Sequence, residues 1–257
     1  MKIILLALVF ILVLGCSTTS TENISQSSMP KVEKQVLQKG IFLNTDAECE
    51  KNDNCLCKAD INYPVVSGLG SETAQIEINK KFKKSAKYDE DENSFEYLCD
   101  GKLINTTQEL TYRNYKFFAN YEVTFNSSEI LGISIYREAE TGGMTGPMIS
   151  YKGFIINVQT GKELSAKDIF GENINQVNQI IYEKLITIES SDLDKLKERK
   201  GKFIEGDICN DCSLFLSKEG IKIIWGKYTV AFGVAGNPDV LIPNKYITYP
   251  AITNYFK

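Results

Sequence analysis

The 257-residue sequence contains no histidine. That absence removes several routes to chemistry at neutral pH. Ser-His-Asp and Cys-His nucleophiles cannot be assembled from this chain, nor can zinc hydrolase sites with His ligands. A carboxylate pair, a Ser–Lys dyad or cysteine redox work remains. Nothing in the spacing of the carboxylates, serines and lysines singles out one such set, and a glycosidase pair is defined by distance in space rather than in sequence. Catalysis is therefore not expected. The cysteines are the other reactive residues, seven in all. Cys209-Asn210-Asp211-Cys212 has the spacing of a redox motif, which requires a helix N-terminus following a strand. Here a Lys-rich, Gly-containing stretch precedes it and a strand is predicted to follow, so a structural bridge is the expectation. A Cys-only zinc site is the further option, and no metal or cofactor is assigned.

One cysteine has an assignment of its own. Lys2 is followed by an unbroken apolar run, Ile3 to Leu14. It matches the apolar region of an export signal and is shorter than the roughly 20 residues that span a bilayer. The run ends in Val13-Leu14-Gly15-Cys16, which resembles the bacterial lipobox. The resemblance implies a signal peptide over residues 1–15, cleavage before Cys16, and acyl chains on Cys16 that hold the chain to a membrane. Ser17 resembles the outer-membrane sorting pattern. Of the twelve residues from Ser17 to Ser28, eight are Ser or Thr. Such a stretch buries too little surface to offset its ordering entropy. Residues 16–40 are read as a flexible tether with a span of roughly 25 Å. The expected location is the bacterial cell envelope, at the outer membrane or cell surface. Removing Cys16 leaves Cys49, Cys55, Cys57, Cys99, Cys209 and Cys212, an even six that suggests disulfides in an oxidising compartment.

Composition bounds the rest. Apolar residues make up 43% of the chain, enough for an ordinary core, and the formal net charge is −4. A nucleic-acid partner is disfavoured, since it needs a basic footprint. A mildly acidic surface would tolerate a basic partner better. Asp89 to Glu92 lacks the Gly and terminal Glu of a calcium loop and reads as a solvated loop. Lys195 to Lys202 reads as an exposed helix end, with contact to anionic lipid as the alternative.

These residues must be carried by a mixed scaffold. Apolar residues Ala74, Ile78 and Phe82 recur at helical spacing after Ser71, predicting a helix to about Ser85. Ile174, Val177, Ile181, Leu185 and Ile188 predict a second helix over residues 173–189. Strands are predicted over 111–118, 119–125, 130–137, 151–158, 214–216, 221–225, 229–232 and 240–242. Gly220 marks a tight turn, and so does Thr160-Gly161-Lys162. Strands come in consecutive runs, so the fold class is α+β, with mainly antiparallel sheets and two principal helices. The segment Thr141-Gly142-Gly143-Met144-Thr145-Gly146-Pro147 joins two strands. It is read as a connection with special turn geometry, or as a ligand loop.

Ordered motifs along residues 59–247 resemble the RsiV-like family, built from DUF4163 and DUF3298 domains. They are Tyr63-Pro64-Val65-Val66 with the helix at Ser71, Gly142-Gly143, the strand Ile149 to Val158, Thr160-Gly161-Lys162, Asp168-Ile169-Phe170, and Tyr228 to Pro243. The resemblance implies an N-terminal DUF4163-like subdomain (41–150) and a C-terminal DUF3298-like one (151–257). It implies an exported or membrane-anchored protein, in a family where some members bind lysozyme and others sit beside a peptidoglycan deacetylase domain. The family's Gly-Gly loop usually carries a His, and Met144 and Thr145 stand in its place. With no membrane-spanning helix expected after cleavage, anti-sigma signalling is not expected. The resulting expectation is a lipid-anchored, non-catalytic binding domain for cell-wall glycan (peptidoglycan) or lysozyme. Gly142, Gly143, Met144, Thr145, Tyr228, Phe232 and Asn237 are its candidate ligand contacts. A His-free enzyme acting on envelope glycans, or a structural lipoprotein, is the alternative.

Overall fold

Strands form where β-branched and aromatic residues cluster. In a computed structural model that describes residues 28–43, 56–87, 115–141, 146–189, 191–198, 200–204 and 212–256, they build two sheets. The larger has the order β1 (Lys31–Leu43), β2 (Leu56–Ser67), β3 (Tyr115–Asn126), β4 (Ile130–Thr141), β5 (Met148–Asn157). The smaller joins β6 (Cys212–Leu216), β7 (Gly220–Trp225) and β8 (Asp239–Pro243). All neighbours pair antiparallel except β2 with β3. That one parallel pair follows from connectivity, because a helix crosses over between the two strands. The fold is α+β and mainly antiparallel, as expected.

The crossover helix is α1 (Glu72–Ala86). Ser71 caps it by accepting from the Ala74 amide at 3.3 Å. Glu72 opens the first turn and Lys83 and Lys84 close the last, matching the helix dipole. Its buried face is Ile78, Phe82 and Ala86, spaced by four residues, and the Phe82 ring meets Phe154 edge-on at 5.0 Å. The second principal helix, α3 (Ile174–Leu185), buries Val177, Ile181 and Leu185 in the same core as the inner residues of β6–β8. Shorter helices are α2 (Ala166–Phe170), α4 (Leu193–Glu198) and α5 (Pro250–Tyr255).

Strand β5 is the wall between two cores. Phe154 and Ile156 join the core under α1, while Ile155 joins the core of the smaller sheet. An apolar run on a strand buried on both faces is the expected pattern. The two sheets touch where β6 passes β5. A Cβ on Gly153 would lie 2.0 Å from the Leu214 carbonyl oxygen, so only a residue without a side chain permits this approach. Beside it, Ser213 Oγ donates to the Tyr151 carbonyl at 2.8 Å.

Some expectations change. Residues 31–40, read as tether, lie in β1, paired to β2 in register from Lys31↔Ser67. Lys31, Glu33, Lys34 and Gln35 gave the stretch a polar look, and such residues suit the solvent side of an edge strand. The expected boundary between residues 150 and 151 falls inside β5. The two strands predicted over 111–125 are one strand, β3, within the described residues. Residues 229–232 are not a regular strand. Val230 is buried, Tyr228 has φ +70°, and Ala231 makes only an isolated bridge to Ser191. The β-branched and aromatic composition there serves burial in a loop. The helix predicted to reach 189 ends its regular part at Leu185.

The Thr160-Gly161-Lys162 turn is built as expected. Asn157 Oδ1 accepts from the Thr160 amide at 2.8 Å, and Gly161 has φ +68°. Lys162 Nζ reaches Asp168 Oδ1 at 2.6 Å, while Asp168 Oδ2 takes the Ser165 amide and hydroxyl at 2.9 and 2.6 Å. This capping box opens α2. Lys162 first, then the Ser165 bonds, hold the Asp168 carboxyl at about 2, below its ordinary 3.8. A depressed carboxylate stabilises the fold above its unfolded value, and that contribution is lost as pH falls through the folded one. Asp168→Asn is expected to cost about 1 kcal/mol at pH 6, discounted for a partly solvated pair. The cost should shrink as pH falls through about 2, which urea unfolding of both proteins above and below that pH will check.

Candidate functional site

A cleft of ≈ 470 Å³ opens along the edge of β5, between the last turn of α1 and the β6–β7 hairpin. Three elements give it a basic lining. Lys81 and Lys84 come from α1, Arg137 from β4 and Lys152 from β5, and Glu163 is the one carboxylate among the described residues that line it. Glu163 is engaged, taking Lys81 Nζ at 2.7 Å. Arg137 is oriented rather than loose. Its Nε donates to Ser150 Oγ at 3.0 Å and its Nη1 to the Lys87 carbonyl at 3.4 Å. Lys84 and Lys152 have no ion-pair partner among the described residues. Lys152 is half-buried.

The other side of the cleft is apolar and firmly held. Tyr151 is braced edge-on by Tyr136 at 5.4 Å and by Phe215 at 6.3 Å. Burial and the Glu138 carboxylate, which accepts from the Tyr136 hydroxyl at 2.6 Å, keep that phenol protonated far above its usual range. Trp225 forms the floor, fully buried, with no hydrogen-bond partner for its Nε1 among the described residues. A rigid cleft with unpaired cations and an apolar floor is suited to an amphiphilic anion. A larger groove of ≈ 590 Å³ runs between α3 and β8, but its charges balance. Glu183 and Asp239 face Lys184 and Lys245 there, and Asp239 is already paired with Lys222 at 3.3 Å.

The sequence candidates fall partly elsewhere. Cys16, Cys49, Cys55, Cys99 and Cys209 lie outside the described residues, as do Gly142, Gly143, Met144 and Thr145. Cys57 is on β2, opposite Phe42 of β1 and Tyr115 of β3. Cys212 opens β6 and is buried. Tyr228 and Phe232 are exposed on the loop after β7, with the Tyr228 ring packed over Gly233. Asn237 closes that loop by donating to the Trp225 carbonyl at 3.1 Å. None of these three lines the cleft; the loop's base, Trp225 and Gly226, does. Lys84, Arg137 and Lys152 were not candidates in the sequence. The one signal was Gly153, an isolated glycine in a strand, which marks a close backbone approach.

A family model described as DUF3298, a protein of unknown function, matches residues 167–245. The chain carries a DUF3298 domain. A second model, described as deacetylase PdaC, matches residues 50–146, the part expected to resemble DUF4163. The cleft sits at the seam between the two. Lys81, Lys84 and Arg137 lie in the PdaC match, and Ser213 and Trp225 lie in the DUF3298 domain. Lys152 and Tyr151 lie on the β5 segment that separates them. Two solved DUF3298-family structures share the fold. One, from Bacteroides fragilis NCTC 9343, is 13% identical with a TM-score of 0.57, covering 88% of this chain and 97% of its own. The other, from Pseudomonas aeruginosa PAO1, is 10% identical with a TM-score of 0.51, covering 86% and 95%. No curated protein matches the chain.

Proposed function

We propose that this chain is a lipid-anchored lipoprotein of the bacterial envelope whose folded part is a non-catalytic binding module, taking cell-wall glycan in the cleft beside β5. The observation that carries the reading is the cleft itself. It is preformed, it lies between the PdaC-matched and DUF3298 segments, and its cations are unequally neutralised. Those cations favour an acidic glycan over lysozyme as occupant, since a basic protein would meet like charge there. The missing histidine supports binding rather than turnover. The lipobox-like Val13-Leu14-Gly15-Cys16 supports the anchor, and the remaining six cysteines support disulfides in an oxidising compartment.

Two experiments test this. The processed chain, purified in detergent, is expected to be retained by insoluble peptidoglycan and to ignore immobilised lysozyme; retention by neither sinks both ligands. Cys16→Ser is expected to move the protein out of the membrane fraction and to leave its leader uncut. Normal processing with continued membrane partition would refute the anchor.

A further inference from the structure

We infer that the glycan site continues past the cleft, over β4 and β3, along a track of three aromatic rings, Tyr151, Tyr136 and Phe118, that seats further sugars of the same chain. The inference rests on the glycan-binding reading and adds the extent of its site. Strand alternation fixes the face that carries the track. Phe117 and Ala119 of β3 and Ile133 and Ile135 of β4 point into the core under α1, so Phe118 and Tyr136 stand on the opposite face. One end of that face is covered, since Ile130 and Ile155 belong to the core of the smaller sheet. The rings lie beyond that cover. Phe118 is 38% exposed, and Tyr136 and Tyr151 are half-buried. The solvent face of an antiparallel sheet is ordinarily polar, yet three adjacent strands each place an aromatic ring on this one. The ring centroids step by 5.4 Å from Tyr151 to Tyr136 and by 5.9 Å from Tyr136 to Phe118. Tyr151 lines the cleft, so the row begins inside it. A sugar chain leaving the cleft along this row meets one ring per strand.

The polar groups between the rings set what the track carries. In the β3–β4 register Phe118 faces Glu138, and Asn120 faces Tyr136. Ring and polar group therefore alternate in both directions. A pyranose has the matching pattern, an apolar C–H face rimmed by hydroxyls. Its weakly positive C–H groups suit the negative face of an aromatic ring. Glu138 can accept from those hydroxyls, and the exposed Asn120 amide can both donate and accept. Glu138 also takes the Tyr136 hydroxyl at 2.6 Å, which holds its carboxylate beside that ring, and it has no ion pair among the described residues. Lys116, two residues before Phe118 on the same strand, is taken up by Glu140 at 2.9 Å. The patch around the rings is therefore negative, which repels nucleic acid and anionic lipid. Its apolar area is broken by polar groups, unlike the continuous patch that a hydrophobic partner needs.

Calorimetric titration of the processed chain with peptide-free peptidoglycan strands of two and of six sugars tests this. The longer strand is expected to bind about tenfold tighter, the worth of two added ring contacts. Phe118→Leu keeps the apolar bulk and removes the ring; it is expected to cut that ratio about threefold. Phe118→Tyr keeps the ring and is expected to preserve the ratio. Cross-strand aromatic pairs also steady a sheet, so the circular dichroism melt of both variants is read beside the titrations to separate a lost contact from a lost fold. Equal affinity for the two lengths overturns the track while leaving glycan binding in the cleft standing. A length ratio that Phe118→Leu leaves at the parent value overturns the placement of the chain over β3. Binding of phosphatidylglycerol vesicles that Phe118→Leu abolishes, with no gain from strand length, overturns the track in favour of a lipid surface. Binding of neither strand overturns the track and the glycan reading together.

Discussion

Gly153→Ala is expected to lower the thermal unfolding midpoint by roughly 6–12 °C, corresponding to about 3 kcal/mol, the upper part of the range for overpacked interiors. The added methyl would stand 2.0 Å from the Leu214 carbonyl oxygen, and what it meets is backbone, which no rotamer change can clear. Relief requires β5 and β6 to part. That would stretch the Ser213 Oγ to Tyr151 carbonyl bond and withdraw Ser213 and Trp225 from the cleft. Loss of affinity for peptidoglycan is therefore expected at temperatures where the protein is still folded. A midpoint within a degree of the parent would show that the two sheets do not depend on this contact.

Phe82→Ala is expected to cost about 3–5 kcal/mol, the range for emptying a buried aromatic site. Phe82 is fully buried, central on the inner face of α1, and its ring stands at 85° to Phe154. Truncation removes that contact and leaves a void between helix and sheet, which stiff neighbours such as Ile133 and Ile156 cannot fill. Phe82→Leu keeps most of the volume and should cost less than half as much. Urea unfolding followed by far-ultraviolet circular dichroism measures both. Equal costs for the two variants would mean that the aromatic contact, not the volume, holds the helix.

These two residues also mark what could be read from the chain and what could not. Phe82 was legible: Ala74, Ile78 and Phe82 at four-residue spacing announce a helix and its inner face, because a helix repeats on that scale. The strand identities of β4, β5, β7 and β8 were legible for the same kind of reason, from runs of β-branched residues between turn signals. The cleft was not. Lys84, Arg137, Lys152 and Trp225 lie on four elements, and Trp225 joins the other three where β6 passes β5 at Gly153. No spacing rule connects residues brought together by tertiary contact, and a lysine in a strand looks the same whether it faces water or a ligand. Residues 229–232 failed for the opposite reason. Thr229-Val230-Ala231-Phe232 has strand composition, yet one of its residues, Val230, is pinned in the core while Phe232 stands out in solvent. Composition records that a residue is sticky, and the chain's path decides what it sticks to.

The entry point of the chain has a directional meaning. Pro30 sits against Gly68, next to the start of α1, whereas the cleft lies at the helix's far end. Fifteen residues of helix separate the two, about 22 Å. Tied down at Cys16, the module would stand on its base like a buoy on a short mooring, its mouth raised toward the wall and turned from the lipid. Under the proposed anchor at Cys16, shortening the fourteen residues between Cys16 and Lys31 would lower that mouth and lengthening them would raise it.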